Sequence, residues 1–79
     1  MIVLLRSSGL RVVIYLNDHP PPHVHVLGDG EARIRLEGAD GLPEIVEVFG
    51  MKYGDLRKAI TAVTEKQALL LDQWAQIHG

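Results

Sequence analysis

The sequence predicts an α+β domain. An antiparallel sheet of four or five strands fills residues 1–49, and one long C-terminal helix, straight or bent, packs on one face. Three observations predict it. Apolar residues alternate at period two from Leu10 to Leu36, glycine and proline clusters punctuate that half, and the period changes to that of a helix from Tyr53 onward. The chain has 79 residues and no repeat or linker, so residues 1–79 form a single domain.

Met1 to Arg6 is apolar and β-branched, and reads as a first strand before the Ser7-Ser8-Gly9 turn. Leu10 to Leu16 follows, with Leu10, Val12, Ile14 and Leu16 on one face and Arg11, Val13 and Tyr15 on the other. Asn17 to Pro22 must be a loop, because Pro20, Pro21 and Pro22 cannot donate to a sheet ladder. His23 to Leu27 and Glu31 to Glu37 form a hairpin around Gly28-Asp29-Gly30. A three-residue closure with a left-handed glycine places His23 opposite Arg35, Val24 opposite Ile34, His25 opposite Arg33, Val26 opposite Ala32 and Leu27 opposite Glu31. A one-residue slip would mix the faces.

Gly38 to Pro43 is a loop. Glu44 to Phe49 is an edge strand with a bulge, since Ile45 and Val46 are adjacent and break the alternation. From Tyr53 to Ile77, Leu56, Ile60, Val63, Leu70 or Leu71, Trp74 and Ile77 mark one helical stripe, which Gln67 interrupts. A bend or break falls between Thr64 and Gln67. Unbroken, the helix would run about 38 Å, too long for so small a core, so its far end, at Leu70, Trp74 and Ile77, is expected to form an interface.

Composition excludes several classes of function. Without cysteine there is no disulfide framework, thiolate zinc site or cysteine nucleophile. A net charge of −2 excludes a protein coated in basic charge for non-specific nucleic-acid binding. The longest uncharged apolar run, Met1 to Leu5, is too short for a membrane span or a signal-peptide core. No membrane association is expected, and the cytoplasm is the expected location. Gly28-Asp29-Gly30 lacks the spacing and following helix of a phosphate loop.

The informative stretch runs from Asn17 to Val26. His23 and His25 lie two apart on a strand and share its outer face, with Val24 and Val26 on the core side. Two such histidines can ligate a metal, with His19 or Asp18 as further ligands. Arg33 and Arg35, cross-strand from the imidazoles, weigh against a metal and for an anion. Arg11, Arg33, Arg35, Tyr15, His23 and His25 then form a face for phosphate or an RNA backbone, since guanidinium forks grip phosphate. His23 and His25 are also the candidate catalytic pair for cleavage beside a 2′-hydroxyl. No cofactor is implied. The competing structural reading is that the histidines satisfy loop backbone groups and the arginines form a solvated strand face.

Asp18-His19-Pro20-Pro21-Pro22-His23-Val24-His25-Val26, with Glu31-Ala32-Arg33-Ile34 and Leu70-Leu71-Asp72-Gln73-Trp74, resembles the pattern of a small, mostly bacterial family, the domain-of-unknown-function family numbered 4160. The resemblance covers nearly the whole chain. It implies one component of a toxin–antitoxin-like two-gene pair, with His19, His23 and His25 as the motif positions and a second small protein as partner. An aromatic residue often stands between the last two histidines of the pattern; here it is Val24.

The reading is thus a small bacterial cytosolic protein that binds a second protein from a neighbouring gene, or another copy of itself, with RNA or phosphate contact on the histidine–arginine face. One alternative is a metal-binding protein using His19, His23 and His25. Another is a metal-independent RNase using the histidine pair.

Overall fold

The alternating half of the chain becomes a meander. The computed structural model describes residues 1–79. Its elements are β1 (Ile2–Ser7), β2 (Leu10–Ile14), β3 (His23–Gly28), β4 (Gly30–Arg35), β5 (Glu44–Phe49), α1 (Tyr53–Glu65) and α2 (Gln67–His78). The five strands lie side by side in chain order, each antiparallel to the next. Between β1 and β2, Ser8 and Gly9 both take positive φ, 52° and 78°, as a tight turn matching strand twist requires.

The β3–β4 register is the expected one, from His23 opposite Arg35 to Leu27 opposite Glu31. Gly30 closes the hairpin at φ 116°, and a Cβ there would stand 2.6 Å from the backbone of Gly50 and Met51. The bulge in β5 is present too. Ile34 pairs with Ile45 but Arg33 pairs with Glu47, which leaves Val46 without a cross-strand partner.

One face of the sheet carries Val12, Ile14, Val24, Val26, Ala32 and Ile34, all essentially without solvent contact. Ala59 and Val63 of α1 and Leu70 and Trp74 of α2 cover them in one continuous core. The helices leave β5 largely exposed. Ile45 and Val48 sit opposite Ile34 and Ala32, on the core side, yet remain 37% and 43% exposed.

Three expectations need correction here. The C-terminal region is not one long helix but two, of 13 and 12 residues, meeting at Lys66. Gln67 interrupts the stripe because its side chain serves another purpose. Its Nε2 donates to Leu36 O and Gly41 O, both at 2.8 Å, pinning the start of α2 to the loop after β4. The break folds α2 back onto the same core. Leu70 and Trp74, expected at an interface, are therefore buried inside the chain, with Ile77 half-buried against them. Leu16, expected to continue the core face of the second strand, lies beyond β2 and is 70% exposed.

Candidate functional site

Because Val24 and Val26 take the core side of β3, His23 and His25 emerge on the other face. The chain leaving β2 turns at once. Asp18 N donates to Tyr15 O at 3.0 Å and Tyr15 N donates to Asp18 Oδ2 at 2.9 Å. This turn lays the carboxylate over the two rings. Asp18 Oδ1 lies 3.1 Å from His25 Nε2 and 3.4 Å from His23 Nε2. One donor atom from each of the three residues falls within a span of 4.8 Å. All three side chains are nearly closed to solvent, at 11–12% exposure.

The far side of each ring is held as well. His23 Nδ1 is 2.9 Å from Pro21 O, and His25 Nδ1 is 3.3 Å from Glu31 Oε2. The His23 ring packs on Trp74 at a centroid distance of 5.2 Å, and the His25 ring meets Tyr15 edge-on at 4.7 Å. The proline corner thus presents a carbonyl where it cannot present a donor. Burial opposes ionisation of Asp18. The Tyr15 N–H, the His25 hydrogen bond and the nearby His25 and His23 outweigh it, so the carboxyl sits below its ordinary value of 3.8.

Counting protons exposes a conflict. A carbonyl only accepts, so His23 Nδ1 must carry its hydrogen, and in a neutral ring Nε2 then faces Asp18 bare. His25 stands between two carboxylates. Either neutral tautomer leaves one of its ring nitrogens facing a carboxylate with no proton between. Two states remove this crowding of acceptors: both rings protonated, or a cation among the three. The second matches the usual surroundings of a metal-bound histidine, whose other N–H is given to a carbonyl or carboxylate.

The predicted imidazoles and guanidiniums share one face, but glutamates compensate the charge there. Arg33 and Arg35 do stand cross-strand from His25 and His23, but the bulge at Val46 brings Glu47 opposite Arg33 and keeps Glu44 opposite Arg35. Arg33 Nη2 pairs with Glu47 Oε1, and Arg35 Nη1 lies 3.6 Å from Glu44 Oε1. Asp18, Glu31, Glu44 and Glu47 outnumber the two guanidiniums around the site. The charge argued against a metal is therefore already neutralised.

The remaining predicted residues scatter. Arg11 is exposed, opposite Leu27, and stays apart from the cluster. Tyr15 contributes ring packing and its backbone N–H. His19 is exposed and lines a neighbouring cavity of about 310 Å³ together with Asp18, His23, Arg33 and Arg35. A larger cavity of about 560 Å³, between the Ser7–Ser8 turn and the Arg57 and Lys58 side of α1, has no cluster of ligating side chains. Sequence reasoning missed Glu31, Glu44 and Glu47. The signal for Glu47 was present in the broken alternation at Ile45–Val46, which shifts it into line with Arg33.

The family model described as Domain of unknown function (DUF4160) matches residues 9–75, a span that includes every residue of the cluster. No curated protein and no solved structure matches the chain.

Proposed function

The chain belongs to the family described as Domain of unknown function (DUF4160), and from that premise we propose that it is a metal-binding protein that holds one divalent transition-metal ion between Asp18, His23 and His25. The convergence of three sheltered donor atoms, with both rings oriented from behind, carries this reading. Asp18 takes the corner that sequence reasoning offered to His19 as its alternative. Ligands sharing an ion at about 2.0–2.2 Å stand roughly 2.8–3.6 Å apart. The carboxylate-to-imidazole distances of 3.1 and 3.4 Å fall in that range, while the three donor atoms together span up to 4.8 Å, so the two imidazoles would draw together around an ion. Two imidazoles and one carboxylate without a thiolate suit zinc, iron, nickel or copper better than calcium or magnesium. Three protein ligands leave positions open to water or to another molecule, as in sites that act on something rather than only brace a fold.

The test is metal analysis of protein purified without a polyhistidine tag, followed by titration with Zn²⁺ and Co²⁺. One ion per chain is expected, lost in His25→Ala and retained in His19→Ala. Metal-free protein that takes up no ion, or an uptake indifferent to His25→Ala, would overturn the reading.

A second reading is favoured by a separate observation. Ile45 and Val48 are apolar, on the core side and uncovered, on a strand whose outer edge is unpaired. That surface supports partner binding by one half of a toxin–antitoxin-like pair in a bacterial cytosol. Its partner would be the small protein encoded next to it. Co-expression should give a complex that Val48→Lys disrupts; two products that purify separately would reject it. Cleavage by the histidine pair alone has less support, because both rings already face Asp18.

A further inference from the structure

We infer, resting on the metal reading, that the cavity beside the cluster binds a small phosphate-type oxyanion between the ion and the Arg33 and Arg35 guanidiniums. Two of the three ligating residues, Asp18 and His23, line this cavity together with both arginines, and Glu44 and Glu47 do not line it. The cavity that Asp18 and His23 border is therefore also bordered by the Arg33 and Arg35 side chains. A volume of about 310 Å³ stands at the small end of ligand sites, enough for a phosphoryl group with a modest appendage.

The arginines are free to change partners. Their ion pairs with Glu47 and Glu44 lie at the surface, with every side chain 41–54% exposed, and such pairs hold weakly. A phosphate accepts from a guanidinium fork through two oxygens at once, and charge-assisted contacts of that kind are stronger. Arg33 also has a donor to spare: its Nε is shielded from solvent and has no hydrogen-bond acceptor. A shielded donor without an acceptor is costly, so a turn of the Arg33 guanidinium toward an oxyanion in the cavity would relieve it.

Charge makes the binding conditional. The four carboxylates around the site exceed the two guanidiniums, a balance that disfavours an anion. A divalent ion brings that balance to neutral. Anion and metal then bind with positive coupling, each tightening the other by the same factor. The same carboxylates disfavour a polynucleotide, whose neighbouring phosphates would pass over Glu31, Glu44 and Glu47. The aromatic ring on this face, Tyr15, is already packed on His25 and is not offered for base stacking.

The experiment is calorimetric titration of the full-length, Zn²⁺-loaded protein with inorganic phosphate, a nucleoside 5′-monophosphate and a short single-stranded RNA. Phosphate or the monophosphate should bind, and chelation of the metal should abolish binding. Arg35→Gln and Arg33→Gln should each weaken it about tenfold, with metal content still one per chain. Glu44→Gln should tighten it. Circular dichroism confirms that each variant is folded, and two arginine variants guard against the loss of one. Metal uptake without binding of either phosphate, or binding indifferent to both arginine variants, overturns the oxyanion site and leaves the metal reading standing. Failure of metal uptake overturns both. RNA bound more tightly than phosphate, with an affinity falling steeply in salt, replaces the compact oxyanion with a nucleic-acid backbone and overturns the inference.

Discussion

Asp18 uses its two oxygens for two purposes. Oδ2 accepts the Tyr15 N–H and shapes the turn, while Oδ1 faces both imidazoles. Substitution separates the purposes. Asp18→Ala removes both and leaves the Tyr15 donor without its partner, so it should destabilise metal-free protein by about 1–2 kcal/mol. Asp18→Asn keeps an acceptor for Tyr15 and offers an amide N–H to a bare imidazole nitrogen. In chelator-treated protein it should unfold in urea within about 0.5 kcal/mol of the unmodified chain, or above it, while metal uptake is lost. The sign matters because it distinguishes the two ways of resolving the proton conflict. If Asp18→Asn destabilises as much as Asp18→Ala, the rings are imidazolium ions paired to Asp18 and the cluster is a salt bridge, not a ligand set. Trp74, the single tryptophan, packs against His23 and can report on the site by fluorescence.

Among the elements, the break between α1 and α2 decides most about the shape of the fold. A continuous helix would carry Leu70 and Trp74 past the sheet; the break returns them to it. Gln67 holds that return with two hydrogen bonds to carbonyls more than twenty-five residues away in sequence. Gln67→Ala should therefore cost about 1–2 kcal/mol in urea unfolding, with metal content unchanged. A loss below a few tenths of a kcal/mol would mean that packing of Leu70 and Trp74 alone positions α2. The same elements show what the sequence made legible. The β3–β4 register followed from period two and a glycine turn, both local, and His23 and His25 came with it. The polar gap at Gln67 was visible, but its acceptors, Leu36 O and Gly41 O, are backbone atoms that no side-chain pattern reveals. The bulge at Val46 was visible as broken alternation, yet its consequence, the pairing of Arg33 with Glu47, depended on which residue the bulge skipped. Asp18 was legible as a loop neighbour of the histidines. Its closure over both rings required the Tyr15 turn.

At the scale of the whole molecule, stability and the site are linked. Only 16 of 79 residues are buried, a thin core for a domain with no disulfide. The proposed ligands join the β2–β3 loop to β3, in the middle strand of the sheet, with the His23 ring against Trp74 of α2. An ion there ties the loop to the sheet, with α2 packed behind the His23 ring, and does not bind an unfolded chain with comparable affinity. Binding to the folded state alone stabilises by about 2.7 kcal/mol when free metal is a hundredfold above its dissociation constant. For a domain of this length each kcal/mol moves the melting temperature by roughly 4–8 °C, so saturating Zn²⁺ should raise it by about 10–20 °C. Calorimetric melting with Zn²⁺ and with chelator measures this directly. His25→Ala should show no such rise, because its remaining pair of ligands binds too weakly to matter at the same concentration. Phosphate added to the Zn²⁺-loaded protein should raise the melting temperature further, and added to the chelated protein should not, because the coupling between the two ligands runs through the charge at one place. An equal rise on adding Zn²⁺ to the unmodified chain and to His25→Ala would instead trace the stabilisation to surface carboxylates and dissolve the link between this cluster and the fold.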